Sequence, residues 1–232
     1  MKKVQKGFSE KGDGSMYLTV TDALPENIAN RKRFFEAKGL GGRKIIVANL
    51  VHGTNVEKVD AASDYFILRT DALVTKSPEI ILTLTGADCF PVYFEEKTAG
   101  IIGLAHCGWK GIVGGIVEKT IATMVGMGGK AAKIAVTIGP GICAEYFEIQ
   151  DDALPAFAAY DDFIIRDKNI RADLKGIIRK QTADAGIALD HISDWNECTY
   201  CLSEKYFSYR REKPEYIEAQ VAYIVQFPHR KF

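Results

Sequence analysis

Apolar residues along the chain fall into two patterns. Short runs rich in β-branched residues, each ended by Gly, Pro or polar residues, predict strands. They are KIIVANLV (44–51), IILTLTG (80–86), PVYFEE (91–96), AGIIGLAH (99–106) and KIAVTIG (133–139), several of them reading as buried on both faces. Helical periodicity over NIANRKRFFEAKG (27–39), GGIVEKTIATMVGMGG (114–129) and RADLKGIIRKQTADAG (171–186), each closing at glycine, predicts helices. The stretch SYRREKPEYIEAQVAYIVQF from Ser208 ends in an alternating strand expected to complete a sheet. The order is mixed rather than a regular βα alternation, with no repeat and no long Pro/Gly/Ser linker. An α+β or layered α/β architecture in one domain over residues 1–232 is therefore expected.

Composition narrows the partners. Lys plus Arg and Asp plus Glu stand at 30 each, so the chain has neither the basic field of a nucleic-acid binder nor an acidic tail. A small molecule or another protein surface is the expected partner. The opening MKKVQKGFSEKGDGS has cations without an apolar segment behind them, and no later run is long enough to span a bilayer. Five cysteines, Cys89, Cys107, Cys143, Cys198 and Cys201, are an odd number for a disulfide framework and are expected as thiols in a reducing cytoplasm.

Chemistry gathers where strands run into glycine. His52 in NLVHGTNV, His106 in LAHCGWKG and Cys89 in LTLTGADCFPVYF lie on three comparable loops. Two imidazoles and a thiolate are a ligand set for zinc that leaves a fourth position open for water, as catalytic zinc requires. The same atoms serve a cysteine nucleophile, with His106 or His52 as the base for Cys89. Asp88 is placed to orient a histidine in either scheme, or to cap a turn. Taken singly, each histidine is better explained by a turn or core position, and Cys89 by a buried small hydrophobe; it is their joint occurrence at strand ends that points to a site.

Other residues carry weaker signals. Lys110 and the glycines after it form a cationic helix start suited to phosphate, against the plain reading of a solvent-facing lysine. Arg210 and Arg211 in FSYRR are candidates for a forked anion clamp, with surface ion pairs as the alternative. Trp109 is placed to stack on a ring or to pack over the helix start. CTYC (198–201) has the spacing of a redox pair or zinc knuckle but lacks a second pair. Cys107 and Cys143 have no chemical partner visible in the sequence.

Together LVHGTNV, DALVT, TGADCFPVYF, AHCGWKGIVGGI, IGPGICAEYFEI, ECTYC and FSYRR resemble, in order, the blocks of the YfiH-like family, from about residue 44 to 211. NRKRFFEAKGL is similar to that family's N-terminal helix. The family has been labelled multicopper polyphenol oxidoreductase or laccase, and is linked to purine nucleoside phosphorylase and adenosine deaminase activities. The resemblance implies a layered α/β/β/α sandwich with mixed β-sheets and a zinc ion held at the positions of His52, Cys89 and His106. Multicopper oxidation needs many more imidazoles than a chain with four histidines offers.

The implied reactions are phosphorolysis of adenosine, inosine, guanosine and methylthioadenosine to base and sugar 1-phosphate, and hydrolytic deamination of adenosine. Lys110 and Arg210 are the candidates for substrate and phosphate binding. The chain departs from the family pattern at Leu50, Cys107 and Lys110, in FSEKGDGSM near the N-terminus, and after FSYRR. Two further readings stand beside the zinc enzyme. One is a cysteine hydrolase of amide bonds, using Cys89 with His106, of the kind that edits peptidoglycan precursors; the other is a binding module whose catalytic site has decayed.

Overall fold

The computed structural model describes residues 3–78 and 80–228; Met1, Lys2, Glu79 and residues 229–232, His229 among them, lie outside the described residues. The chain opens with β1 (Val4–Phe8), passes through α1 (Pro25–Ala37) and lays down β2 (Lys44–Asn49). The short β3 (Val56–Lys58), β4 (Phe66–Leu68) and β5 (Ala72–Thr75) precede three long strands, β6 (Ile80–Gly86), β7 (Phe90–Glu96) and β8 (Ile101–Cys107). Then come α2 (Trp109–Val113), α3 (Ile116–Gly126), β9 (Ile134–Ile138), the hairpin β10 (Ile164–Arg166) and β11 (Ile170–Ala172), and α4 (Leu174–Asp184). β12 (Ile192–Asp194), the one-turn α5 (Tyr209–Glu212) and β13 (Gln220–Gln226) follow.

Two mixed sheets stack face to face. The first runs β1-β13-β6-β2-β4 and the second β12-β9-β7-β8-β5-β3. Side chains alternate between faces along a strand, so neighbouring residues feed different apolar layers. Leu73 points between the sheets with Ile46, Leu82, Tyr93 and Leu104, whereas Val74 points outward to Ile112, Ile116 and Ile121 of α2 and α3. On the far side, Phe34 and Phe35 of α1 pack on Ile81, Val221 and Val225. The result is four layers, α/β/β/α, with an apolar filling at each of the layer contacts. The sheets are also tied by polar bonds, from the Tyr93 hydroxyl to the Gly7 carbonyl (2.8 Å) and from Lys6 Nζ to Glu95 Oε1 (2.6 Å).

Local sequence explains most boundaries. Pro25 at the first turn of α1 costs no hydrogen bond there, and Gly39 follows the last turn with φ 71°. Gly115, at φ 84°, separates α2 from α3, so the helix expected over 114–129 is Ile116–Gly126 with a shorter one before it. The helix expected over 171–186 is corrected at its start. Ile170–Ala172 pairs with Ile164–Arg166 as a hairpin, and the helix begins at Leu174, where the Asp173 side chain accepts from the Gly176 N–H (2.9 Å). The alternation in β13 marks no half-exposed strand: Ala222 and Ile224 enter the inter-sheet core while Val221, Tyr223 and Val225 pack under α1.

Candidate metal centre

The open end of the sandwich brings the three strand-end residues together. His52 follows β2 of the first sheet, His106 is the penultimate residue of β8 of the second, and Cys89 lies on the link by which the chain crosses from β6 to β7. One ligand atom from each of His52, Cys89 and His106 lies within 4.8 Å of the others. The imidazole rings meet edge to face at 4.9 Å. His106 is buried, His52 exposed and Cys89 between, so the centre opens to one side.

One carboxylate that the sequence reading passed over holds both imidazoles. Ala72 pairs with Ala105 across β5 and β8, which sets Asp71 beside His106. Asp71 Oδ1 lies 3.1 Å from His106 Nδ1 and accepts from the His52 N–H (2.9 Å); Oδ2 accepts from the N–H groups of Gly53 (2.8 Å) and Val51 (3.4 Å). An ionised carboxylate only accepts, so Nδ1 of His106 carries the proton and Nε2 is free to face Cys89. Burial opposes the Asp71 charge, but the His106 bond and the loop N–H groups outweigh it and keep its pKa below the usual carboxylate range. His52 itself sits at φ 56°, a conformation held by that same carboxylate.

Asp88 does not orient a histidine. Its Oδ1 accepts from Thr199 Oγ1 (2.7 Å) and its Oδ2 from the Arg210 N–H (2.7 Å), which ties the Cys89 loop to the C-terminal third of the chain. The expected orienting role therefore passes to Asp71. Burial pushes the Cys89 thiol up, yet the two imidazoles against it prevail and bring it down to about 6. Burial likewise disfavours a charged His106, and Cys89 and Asp71 reverse this and raise it to about 9.

The space at the centre suits an ion. A Cβ on Gly108 would lie 3.1 Å from Cys89 Sγ, 3.2 Å from His52 Cδ2 and 3.4 Å from His106 Cε1, so glycine alone leaves the three donors unobstructed. A neutral imidazole pair with a thiolate matches zinc or a single copper ion. Among the described residues the other group with metal-ligand spacing is Cys143, Cys198 and Cys201, without any histidine, so the imidazoles of a multi-copper cluster are not assembled.

The centre lies in the wall of a cavity of about 550 Å³, within the range of small-molecule sites. Trp109, Ile142, Phe147, Leu50 and Tyr209 supply apolar surface, and Tyr17, Leu18 and Thr19 come from the N-terminal segment directly after FSEKGDGSM. A second cavity of about 470 Å³ shares Trp109, Phe147 and Arg210 with the first and adds Lys213. Trp109 also stacks on Phe157 at 5.8 Å.

The expected cations divide. Arg210 lines both cavities, over the Phe147 ring at 5.2 Å and bonded to the Tyr146 (3.2 Å) and Glu148 carbonyls. Arg211 is not its partner in a clamp: it donates to the carbonyls of Thr199, Tyr200 and Tyr206 and fastens that turn. Lys110 lines neither cavity; it is exposed, with its ammonium 5.5 Å from the Trp109 ring. Cys107, next to His106 on β8, turns its side chain to the opposite face, into the outer core. Sequence reasoning missed Asp71, Tyr17–Thr19 and Lys213. Only Asp71 had a signal, its place at the head of the apolar run ALVT.

The fold and site define a two-sheet α/β sandwich in which His52, Cys89 and His106 could hold one metal ion beside a small-molecule cavity. Residues 3–225 match the family described as multi-copper polyphenol oxidoreductase laccase, and the chain belongs to that family, which includes the YfiH proteins. Over 186 residues it is 33% identical to the purine nucleoside phosphorylase of Deinococcus radiodurans, covering 79% of this chain and 71% of that one. Over 148 residues it is 31% identical to adenosine deaminase RL5 from an unknown prokaryotic organism, covering 61% of this chain and 56% of that one. The solved structure of the hypothetical protein YfiH from Bacillus licheniformis superposes with TM-score 0.90 at 26% identity, over 96% of this chain and 92% of that one.

Proposed function

We propose that the protein is a zinc-dependent purine nucleoside enzyme that cleaves adenosine, inosine, guanosine or methylthioadenosine with phosphate and also deaminates adenosine. The observation that carries this reading is the convergence of His52, Cys89 and His106 on one point in the wall of a nucleoside-sized cavity. The names of the phosphorylase and deaminase relatives support the substrate class. Zinc held by these residues supplies Lewis acidity at the reacting atoms. Asp71 holds the His106 ring through Nδ1 and the His52 loop through its backbone N–H, so loss of the second proton from His106 would leave its Nε2 aimed at the metal. Trp109 and Phe147 offer faces for the purine ring, and Arg210 is the cation at the junction of the two cavities where phosphate would meet the sugar.

The test is elemental analysis of the purified chain followed by a nucleoside panel with and without phosphate. Base release that requires phosphate and falls away on chelation, returning with zinc, is the expected result. Turnover unchanged in metal-free protein sinks the proposal. A second reading is favoured by the relay from Cys89 through His106 to Asp71, the arrangement of a cysteine hydrolase of amide bonds. In that case alkylation of Cys89 abolishes an amidase activity that survives full chelation.

A further inference from the structure

A second set of sulfurs lies outside the centre already described. β9 and β12 run parallel, with Ile138 beside Asp194, so the segments that leave them emerge on the same edge. A further bridge pairs Gly141 with Cys198, and the Thr199 N–H donates to the Gly141 carbonyl (3.1 Å). This backbone pairing sets Cys143, from the turn after β9, against both cysteines of CTYC. All three Sγ atoms lie within 4.8 Å of one another, and Cys143 Sγ stands 3.7 Å from Cys201 Sγ.

We propose that Cys143, Cys198 and Cys201 form a second zinc site, a tris-thiolate with its fourth position open to water at the protein surface. Four donors about 2.3 Å from a tetrahedral zinc ion stand about 3.8 Å apart, and 3.7 Å is the edge of such a tetrahedron rather than a covalent S–S bond. The Cys198 sulfur accepts from the Cys143 N–H (3.2 Å), so backbone and sulfur of the two segments are already in contact. The exposure of Cys201 gives the ion a route in. Tyr146 and Tyr200 stack at 4.0 Å beside the cluster and hold its two segments together.

The site acts as a staple behind the cavity. Ile142 and Phe147 on the first segment line the cavity, and Thr199 on the second holds Asp88 next to Cys89. Zinc on the three sulfurs fixes that wall without touching the reacting atoms.

The test uses the full chain, purified under reducing conditions, with and without EDTA, and reads iodoacetamide labelling cysteine by cysteine. Zinc is expected to slow labelling of Cys143 and Cys201 at least about tenfold, since a bound thiolate is no longer a free nucleophile. About two zinc ions per chain are expected in the wild type and about one in C143S/C201S. Labelling of Cys89 is scored separately. Protection of Cys89 without protection of the other three overturns this inference and leaves the zinc enzyme standing; the reverse pattern does the opposite. Unchanged labelling of the three cysteines, a Cys143–Cys201 disulfide in zinc-loaded reduced protein, or a second zinc retained by C143S/C201S each overturns it. The wild-type measurements do not depend on the folding of any variant.

Discussion

Replacing Gly108 by alanine adds one methyl group in the space between the three donors. The backbone there has φ −75° and ψ 159°, an extended conformation that alanine adopts freely, so the change introduces no strain of its own. The new Cβ lies 3.1, 3.2 and 3.4 Å from atoms of Cys89, His52 and His106, short of the 3.5–4.0 Å or so of an ordinary carbon contact. Without metal, the exposed His52 can swing aside and relieve the crowding. With metal the three residues must converge again, and the crowding returns as a cost of about 1–3 kcal/mol, the usual range for overpacking. At about 1.4 kcal/mol per decade, zinc affinity should fall roughly 5- to 150-fold. Competition against a chromophoric chelator measures the affinity, and a thermal melt of the metal-free protein checks the fold. Removing a glycine also limits the unfolded chain, worth about 0.4–1 kcal/mol in favour of folding, so the metal-free melting temperature should barely move. Wild-type zinc affinity in a folded Gly108→Ala protein would refute the placement of the metal among these donors.

Asp71→Asn leaves two of the four N–H groups now facing that carboxylate without an acceptor, at roughly 1–3 kcal/mol each. Urea unfolding should show the loss, and zinc affinity should drop about 10–100-fold; wild-type values for both would remove Asp71 from its supporting role. Arg210→Met keeps the contact with Phe147 and deletes the charge, so KM for phosphate should rise while base-only binding holds; an unchanged KM would place the anion elsewhere. Glu118 is raised above its usual pKa by burial, and its Oε2 has no hydrogen-bond partner among the described residues. A raised folded-state pKa favours folding at pH below the unfolded value and loses that advantage as pH rises through the folded value. Glu118→Gln should therefore flatten the decline of stability across that window, as read by melts on either side of it; an unaltered slope would exclude Glu118 as its source.

The long strands were legible because β-branched residues, with glycine or proline at their ends, mark a fully buried strand from either side. Short edge strands were not: VQKGF (4–8) has a lysine and a glycine in place of an apolar run, Ile192–Asp194 is too short for a period, and both form because neighbouring strands offer hydrogen bonds. Arg171 and Ala172, expected at the start of a helix, pair instead in a hairpin whose three-residue strands are too short to show a period. His52, Cys89 and His106 could be found since each ends a readable strand. Asp71 and Cys143 owe their partners to pairings between distant strands, Ala72 with Ala105 and Gly141 with Cys198, which no local pattern encodes.

The crossing from β6 to β7 gives the donor set a thermodynamic linkage. One donor belongs to each sheet and the third to the link between them, so the triad is assembled only when both sheets are docked. An ion that binds the docked state alone stabilises it by RT ln(1 + [L]/Kd). Zinc uptake then counts the folded population, and a core truncation such as Leu82→Ala, remote from every donor, should weaken apparent zinc binding once undocked chains become appreciable. Conversely, under the proposed zinc binding, free zinc would set how much damage to the inter-sheet layer the chain tolerates, making stability a function of metal supply.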